Sequence, residues 1–395
     1  MIALLTALIV AAVAVSDYFA YRWVSQRIRR KGARVALACT IIVADALPYI
    51  PMAIYALLLS DNSTLTMLAS MWLLTLYVIL TLPRFVFYIF WLPFKASRTA
   101  GIAGATAAAI ALGVLLNGLL HTRCDVEVRH VALQFDNLPA EFDGYRIALL
   151  SDLHVGTMLS PEKECNALSN AIASEQPDAV AFVGDLINIR HSELTPSILA
   201  SLRQIKARDG VYAVLGNHDR GVYIKNKAQL SIEENTRLVE HAIRHDIGWH
   251  LLRDSVAYLR RGNTSVALVG IDLSDSLLAY KHSFKTPSNI DTDAIFSTIP
   301  DSTFRITLSH LPQVWHLLRD SSHSDLTLAG HVHASQVKIQ YGGLRLSPSM
   351  ILHREWSGLY EEQGSQLYVN DGIGVVGFFI RVGARPEITL LELRK

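Results

Sequence analysis

The spacing of apolar positions along this chain changes near residue 120. Before that point four stretches are apolar almost without a break: Ile2 to about Val24, Val35 to Leu59, Leu65 to Phe94, and Gly101 to Leu120. Each reaches or approaches the roughly 20 residues a bilayer-spanning helix needs. The third is interrupted at Pro83-Arg84 and runs into the aromatic segment FVFYIFW, the pattern of a span followed by a kinked or interfacial piece. An all-α transmembrane region of about four helices is therefore predicted for residues 1–120.

From about His121 the apolar runs shorten to strand length. VEVRHVALQF alternates, and YRIALLS, DAVAFVG, GVYAVLG, SVALVGI, FRITLSH and DLTLAGH are short apolar runs ending in small or polar residues. Amphipathic segments such as SPEKECNALSNAIASEQ and SIEENTRLVEHAIRHD lie between some of them, with Ser160-Pro161 and Ser231 as helix starts. Strand, loop, helix and strand in succession predict an α/β or mixed-sheet domain over residues 121–395. No internal repeat or low-complexity linker separates the two parts.

Composition sharpens this division. The chain is 51% hydrophobic, high for a wholly soluble protein. Its near-zero net charge hides an asymmetry, because residues 1–120 hold 9 of the 36 Lys+Arg and 3 of the 35 Asp+Glu, leaving the remainder mildly acidic. A mildly acidic domain argues against a general nucleic-acid binder, which needs a basic face to neutralise phosphates. Arg27, Arg29, Arg30, Lys31 and Arg34 lie between the first two spans, whereas SDNST after the second has no positive charge. The positive-inside rule puts the basic loop in the cytoplasm; Lys95 and Arg98 mark a second cytoplasmic loop. Four spans then leave the amino terminus and the region after residue 120 outside. Residues 1–16 lack the basic start and clear cleavage site of a signal peptide. Asp17 and Asp45, in or near spans, are either functional groups or residues at headgroup level. Cys39, Cys124 and Cys165 form no C-x-x-C pair, so cysteine chemistry is not indicated.

The residues just after the predicted strands carry the chemistry. YRIALLS leads into Asp152-Leu153-His154, DAVAFV into Gly184-Asp185, VYAVL into Gly216-Asn217-His218-Asp219, FRITLS into His310, and DLTLA into Gly330-His331-Val332-His333. The carboxyl ends of strands in an α/β sheet are where ligands bind, since loops there are held by a buried scaffold. Two carboxylates, one amide oxygen and four imidazoles, without a thiolate, suit Mn²⁺, Fe or Zn²⁺. Seven such donors exceed one tetrahedral site and suit two metals sharing a carboxylate.

DLH, GDL, GNHD, SH and GHVH, in that order over about residues 140 to 340, resemble the signature of the calcineurin-like metallophosphoesterases. The chain is similar in particular to bacterial members with an N-terminal membrane or export segment, and its tail VNDGIGVVGFFIRVGARPEITLLEL resembles their closing strands. The resemblance implies a four-layer α/β/β/α sandwich around two divalent metal ions. It assigns Asp152, His154, Asp185 and His333 to one metal, and Asp185, Asn217, His310 and His331 to the other, with Asp185 as the bridge. His218 would contact the phosphoryl group and protonate the leaving oxygen, Asp219 would orient His218, and a metal-bridging hydroxide would attack phosphorus. One departure is visible: many relatives follow GHxH with Gly-Gly-Gln, where this chain has Ala334-Ser335-Gln336.

The expected activity is hydrolysis of a phosphomonoester or phosphodiester by an integral membrane enzyme of the bacterial cell membrane, in the family's own pattern, with its catalytic domain extracytoplasmic. A lipid-linked or envelope phosphoester and a soluble one both remain open as substrate. The alternative is a non-catalytic, metal-stabilised scaffold of a membrane complex, which the retained His218 argues against. Arg190 and Arg220 are open as substrate-anion contacts or surface arginines. His191, His241, His245, His250, His282, His316, His323 and His353 have no partner spacing and are read as structural or solvated. GIGVVG does not follow the strand-to-helix layout of a nucleotide fingerprint.

Overall fold

The computed structural model describes residues 2–46, 64–91, 97–225, 230–281, 283, 285, 287, 292–321 and 324–395. They divide into two compact units, Met1–Leu120 with Gly377–Ile380, and His121–Val376 with Arg381–Lys395.

The helical unit contains α1 (Ile2–Ser25), α2 (Lys31–Ala46), α3 (Thr64–Trp91) and α4 (Arg98–Leu120). Among the described residues, Leu65–Trp91 and Arg98–Cys124 are long and apolar enough to cross a membrane. At Pro83 the helix is not interrupted: α3 continues through it to Trp91. Residues 47–59 of the second predicted span, most of the SDNST loop and Lys95 lie outside the described residues. Asp17 and Asp45 converge on one guanidinium, with Arg84 Nη2 3.0 Å from Asp17 and 2.7 Å from Asp45. The Tyr88 hydroxyl donates to Asp17 at 2.6 Å. Buried charge in such a helix needs a partner of this kind.

The second unit is a four-layer α/β/β/α sandwich. Its first sheet has the order β1 (Glu127–Gln134), β14 (Glu387–Arg394), β2 (Arg146–Leu150), β3 (Ala179–Phe182), β4 (Val211–Ala213), β5 (His250–Leu251). The second has the order β12 (Gly358–Glu362), β13 (Ser365–Val369), β9 (Leu326–Ala329), β8 (Arg305–Leu308), β7 (Thr264–Gly270), β6 (Ser255–Arg261). A two-stranded hairpin, β10 (Ile339–Tyr341) and β11 (Leu344–Leu346), stands apart from both.

Both faces of each sheet are covered, which is why the runs read as apolar throughout. In β2, Ala148 and Leu150 join the helices Pro161–Glu175 and Pro196–Leu202, while Ile147 and Leu149 join the core between the sheets. In β7, Val266 and Leu268 face that same inter-sheet core, and Ala267 and Val269 pack with Leu311, Val314 and Leu318 on the outer side. The tail strand β14 closes the first sheet from within, parallel to β1 and antiparallel to β2. The consequence for chemistry is that β2, β3, β4, β8 and β9 all end at one rim.

Candidate metal centre

Each of those strands hands its chain to a short loop that carries donors. After β2 the backbone turns left-handed at Asp152 (φ 54°) and His154 (φ 44°), and Asp185 after β3 (φ 60°), His331 (φ 72°) and His333 (φ 53°) after β9 do the same. Non-glycine residues at positive φ are uncommon and store strain, and they cluster where a side chain must be aimed. Here they aim carboxylates and imidazoles at one point. Gly184 (φ 94°) permits the close approach of two strand-end loops, because a Cβ there would lie 2.6 Å from the Gly216 nitrogen and 2.8 Å from His310 Nδ1.

The donors form two clusters joined by one carboxylate. In the first, His333 Nε2 is 3.1 Å from Asp152 Oδ1 and 3.1 Å from His154 Nε2. In the second, His310 Nε2 is 3.0 Å from Asn217 Oδ1 and 3.2 Å from His331 Nδ1. Asp185 Oδ2 reaches both, 3.7 Å from His154 Nε2 and 3.2 Å from His310 Nε2. All seven residues assigned to metals by resemblance are thus brought together, six of them buried and His331 partly so.

Three observations test whether metals fit this place. His154 Nδ1 is buried and makes no hydrogen bond, and the buried Asp152 Oδ1 faces imidazole nitrogens, His333 Nε2 at 3.1 Å and His154 Nε2 at 3.7 Å. Imidazole nitrogens face each other across about 3 Å in two pairs, an arrangement that repels lone pair against lone pair without a proton or cation between them. Finally, backbone carbonyls hold the far nitrogens of two of the rings: His310 Nδ1 donates to Val183 O at 2.8 Å, and His331 Nε2 to Lys281 O at 2.7 Å. Such outer hydrogen bonds fix the tautomer and leave the inner nitrogen to ligate. The residues fit divalent cations.

The electrostatics agree. Burial works against charge on Asp185, but the surrounding imidazoles, His310 first, hold its carboxyl well below the usual range. Burial likewise opposes charge on His310, yet the Asp185 carboxylate overrides it and holds the ring up at about 9. Cations in this position replace those protons as the compensating charge.

His218 sits beside this centre, partly exposed, with Nε2 4.0 Å from Asp185 Oδ2. Its Nδ1 donates to Asn188 O at 2.5 Å, and its ring packs on Tyr223 with centroids 4.3 Å apart. Burial pushes its pKa down to about 4, so the ring is neutral at pH 7 with its Nε2 lone pair facing inward.

Asp219 requires a correction. It does not orient His218; the Asn188 carbonyl does. Adjacent residues project their side chains apart, and the Asp219 carboxylate turns inward to accept backbone N–H bonds from Asp185 (2.8 Å), Leu186 (2.9 Å), Ile187 (3.1 Å) and Gly216 (2.9 Å). It is a positioning residue for the loop that carries Asp185. Arg220 is tied to Asp272 at 3.4 Å and Asp275 at 3.5 Å rather than offered to a ligand. His353, read as structural, stands edge-on to His331 with centroids 5.9 Å apart. His282 and His323 lie outside the described residues.

Other contributors carry no spacing signal. Asn188 and Val183 act through their carbonyls, which any residue could supply. Arg381, wholly buried, donates to the carbonyls of Asp371, Gly372, Gly374 and Ala384 and lies 3.4 Å from His333 Nδ1. Tyr223 follows GNHD closely enough to suspect, but nothing in its neighbours marks it.

Comparison with known proteins bears on the same residues. Positions 145–335 match the family of calcineurin-like phosphoesterases. The chain is 26% identical over 275 residues to the metallophosphoesterase YkuE of Bacillus subtilis (strain 168), covering 68% of this chain and 86% of that one. It is 28% identical over 288 residues to a transmembrane protein with metallophosphoesterase domain of Danio rerio, covering 70% of this chain but only 60% of the relative. A third relative, the UDP-2,3-diacylglucosamine pyrophosphatase LpxG of Chlamydia trachomatis, is 26% identical over 295 residues, covering 65% of this chain and 86% of that protein.

Proposed function

We propose that the chain, whose residues 145–335 match the calcineurin-like phosphoesterases, is a metal-dependent hydrolase of phosphoesters, anchored in a membrane, with a two-metal centre bridged by Asp185. The observation that carries this reading is the single oxygen, Asp185 Oδ2, within 3.7 Å of His154 in one donor cluster and 3.2 Å of His310 in the other. Asp152, His154 and His333 would hold one divalent ion, Asn217, His310 and His331 the second, and Asp185 both. Bound there, such ions supply Lewis acidity toward phosphoryl oxygen and a water ionised near neutral pH.

The chain's own residues do the rest. Asn188 fixes the His218 tautomer so that Nε2 faces the reaction space. An arriving phosphoester brings negative charge to that nitrogen, raises its proton affinity, and lets it hold a proton against a phosphoryl or leaving-group oxygen. Asp219 and the left-handed turn at Asp185 keep the bridging carboxylate from swinging. The two apolar helices, together with a relative named as a transmembrane protein, support anchorage in a membrane. The basic loop between α1 and α2 supports an extracytoplasmic catalytic domain. A lipid-linked phosphoester is the favoured substrate class; LpxG, by its name, acts on a diacylated nucleotide sugar pyrophosphate.

The test uses the purified full chain, stripped with chelator and reloaded with Mn²⁺, against a chromogenic phosphodiester and phosphomonoester. Hydrolysis should require metal, with His218→Ala about 10²–10⁴-fold slower and Asp185→Asn slowed by a similar or greater factor. Wild-type rates in both variants, or no hydrolysis of either ester by the reloaded wild type, would end the proposal.

A further inference from the structure

The β10–β11 hairpin is amphipathic in the wrong sense for a soluble domain. Its pairs are Ile339 with Leu346, Gln340 with Arg345 and Tyr341 with Leu344. Alternation therefore gathers Ile339, Tyr341, Leu344 and Leu346 on one face. In a hairpin docked on a core that face would be buried. Here it is the exposed one, at 55%, 84%, 54% and 42%. The opposite face is the one tied down, through Arg345, which donates to Ser357 O and stacks its guanidinium 5.1 Å from the Trp356 ring.

This exposure is concentrated rather than scattered. Among the described residues from 121 onward, nine large hydrophobics are exposed, and six of them fall within residues 339–351: the four above, Met350 and Ile351. A contiguous apolar surface of this kind marks an interaction site, whereas single exposed apolar residues need no explanation. The tip is built to protrude, since Gly342 (φ 53°) and Gly343 (φ 85°) make a two-residue turn with both φ angles positive, which brings Tyr341 and Leu344 side by side at the apex.

We propose that this hairpin is an interfacial anchor that seats its apolar face in the headgroup layer of the bilayer. Three features select a lipid surface as the occupant. The same chain carries helices long and apolar enough to span a bilayer, and only residues 121–126 separate α4 from β1, so a lipid surface is always within tether reach. Between Gln336 and Arg354 there is no carboxylate, Lys338 is buried against Asp371, and Arg345 and Arg354 are basic, so nothing in the segment repels anionic headgroups. The hairpin is also a two-stranded sheet with open edges, which excludes it from the hydrocarbon core but not from the hydrated interface, where a tyrosine is favoured. Residues 334–338 alone connect His333 to this hairpin. An anchor here would therefore hold the loop of His331 and His333 at a fixed depth, and present the centre to phosphoesters borne by the bilayer.

The inference rests on the membrane anchorage proposed above, goes beyond hydrolysis and is tested without it. In the full chain carrying Cys39→Ser and Cys124→Ser, with Cys165 buried, a single cysteine is placed by Tyr341→Cys or, as control, by Asp301→Cys at a fully exposed position. Each is labelled with an environment-sensitive fluorophore and reconstituted in vesicles of phosphatidylethanolamine and phosphatidylglycerol containing a lipid with a headgroup-level quencher. The label at position 341 should shift to the blue and lose at least half its emission to the quencher, and the control label should do neither. A Leu344→Asp, Leu346→Asp background should restore the aqueous signal at position 341 while leaving the melting temperature unchanged, because both sites are exposed. Equal quenching at both positions, or an emission shift that tracks protein-to-lipid ratio and so reports a second copy of the chain, would overturn the proposal.

Discussion

Replacing Asp219 separates a positioning role from a catalytic one. Each carboxylate oxygen accepts two backbone N–H groups: Oδ2 from Asp185 and Gly216, Oδ1 from Leu186 and Ile187. In Asp219→Asn one oxygen becomes an NH₂ group, so two buried N–H donors lose their acceptor and face another donor. At about 1–3 kcal/mol for each buried group left unsatisfied, the cost is about 2–6 kcal/mol. Asp219→Ala orphans all four and approaches the whole stability of a typical domain, about 5–15 kcal/mol, so the asparagine variant is the informative one. Its amides at 185–187 should exchange with solvent faster, its denaturation midpoint should fall, and its apparent metal affinity should drop as the Asp185 carboxylate loosens. The acid limb of the pH–rate profile should stay where it is, because Asn188 still holds His218. An Asp219→Asn protein with wild-type stability and amide exchange, but a displaced pH profile, would show that Asp219 acts through His218 and would refute this account.

Metal uptake should depend on pH with a definite sign. In the metal-free protein the folded His310 pKa is raised to about 9, so its contribution to stability is fully present below about 6.5 and is lost as pH rises toward 9. A metal must displace that proton, so Mn²⁺ affinity measured by calorimetry should strengthen over the same interval; affinity constant from pH 6.5 to 9 would contradict the assignment. Ala334 sits at φ 48° within a left-handed run from His333 to Gln336, so Ala334→Val should lower stability by about 1–3 kcal/mol in chemical denaturation while Ala334→Gly is tolerated; equal effects would mean the strain is absent. Burial pushes the Cys165 thiol up to about 12; iodoacetamide at pH 8 should therefore modify Cys124 readily and Cys165 only on unfolding, as mass spectrometry of peptides would reveal.

The fold was legible to the extent that local pattern decides it. Runs such as RIALL and AVAF are apolar at every position because both faces of each sheet are covered, and that reads directly as buried strand. The place of the tail was not legible. EITLLELR is plainly a strand, but its insertion between β1 and β2, more than two hundred residues upstream, depends on pairings that no local pattern encodes. The hairpin shows a second limit. IQY and LRL alternate as a half-buried pair would, and alternation says which residues share a face without saying whether that face meets protein, water or lipid.

The candidate site divides in the same way. Its seven donors come after apolar runs one by one, and a polar residue immediately after a buried strand is placed at the rim by the strand itself. The chain order hides the means of aiming. Asp152, His154, Asp185, His331 and His333 all lie at positive φ, and although aspartate and histidine visit that region more readily than most residues, their place in the motifs does not say which of them will. Their conformations persist because neighbouring groups hold them: His331 N–H on Asp152 Oδ2 at 3.0 Å, His154 N–H on Asp185 O at 3.1 Å, and the four N–H bonds to Asp219. The left-handed turns are thus maintained by the protein's own hydrogen bonds, which account for the convergence of the donors without any metal–donor bond. Donors held in this way by the fold make donor type, oxygen and imidazole nitrogen without thiolate, the property that decides which divalent cations they fit.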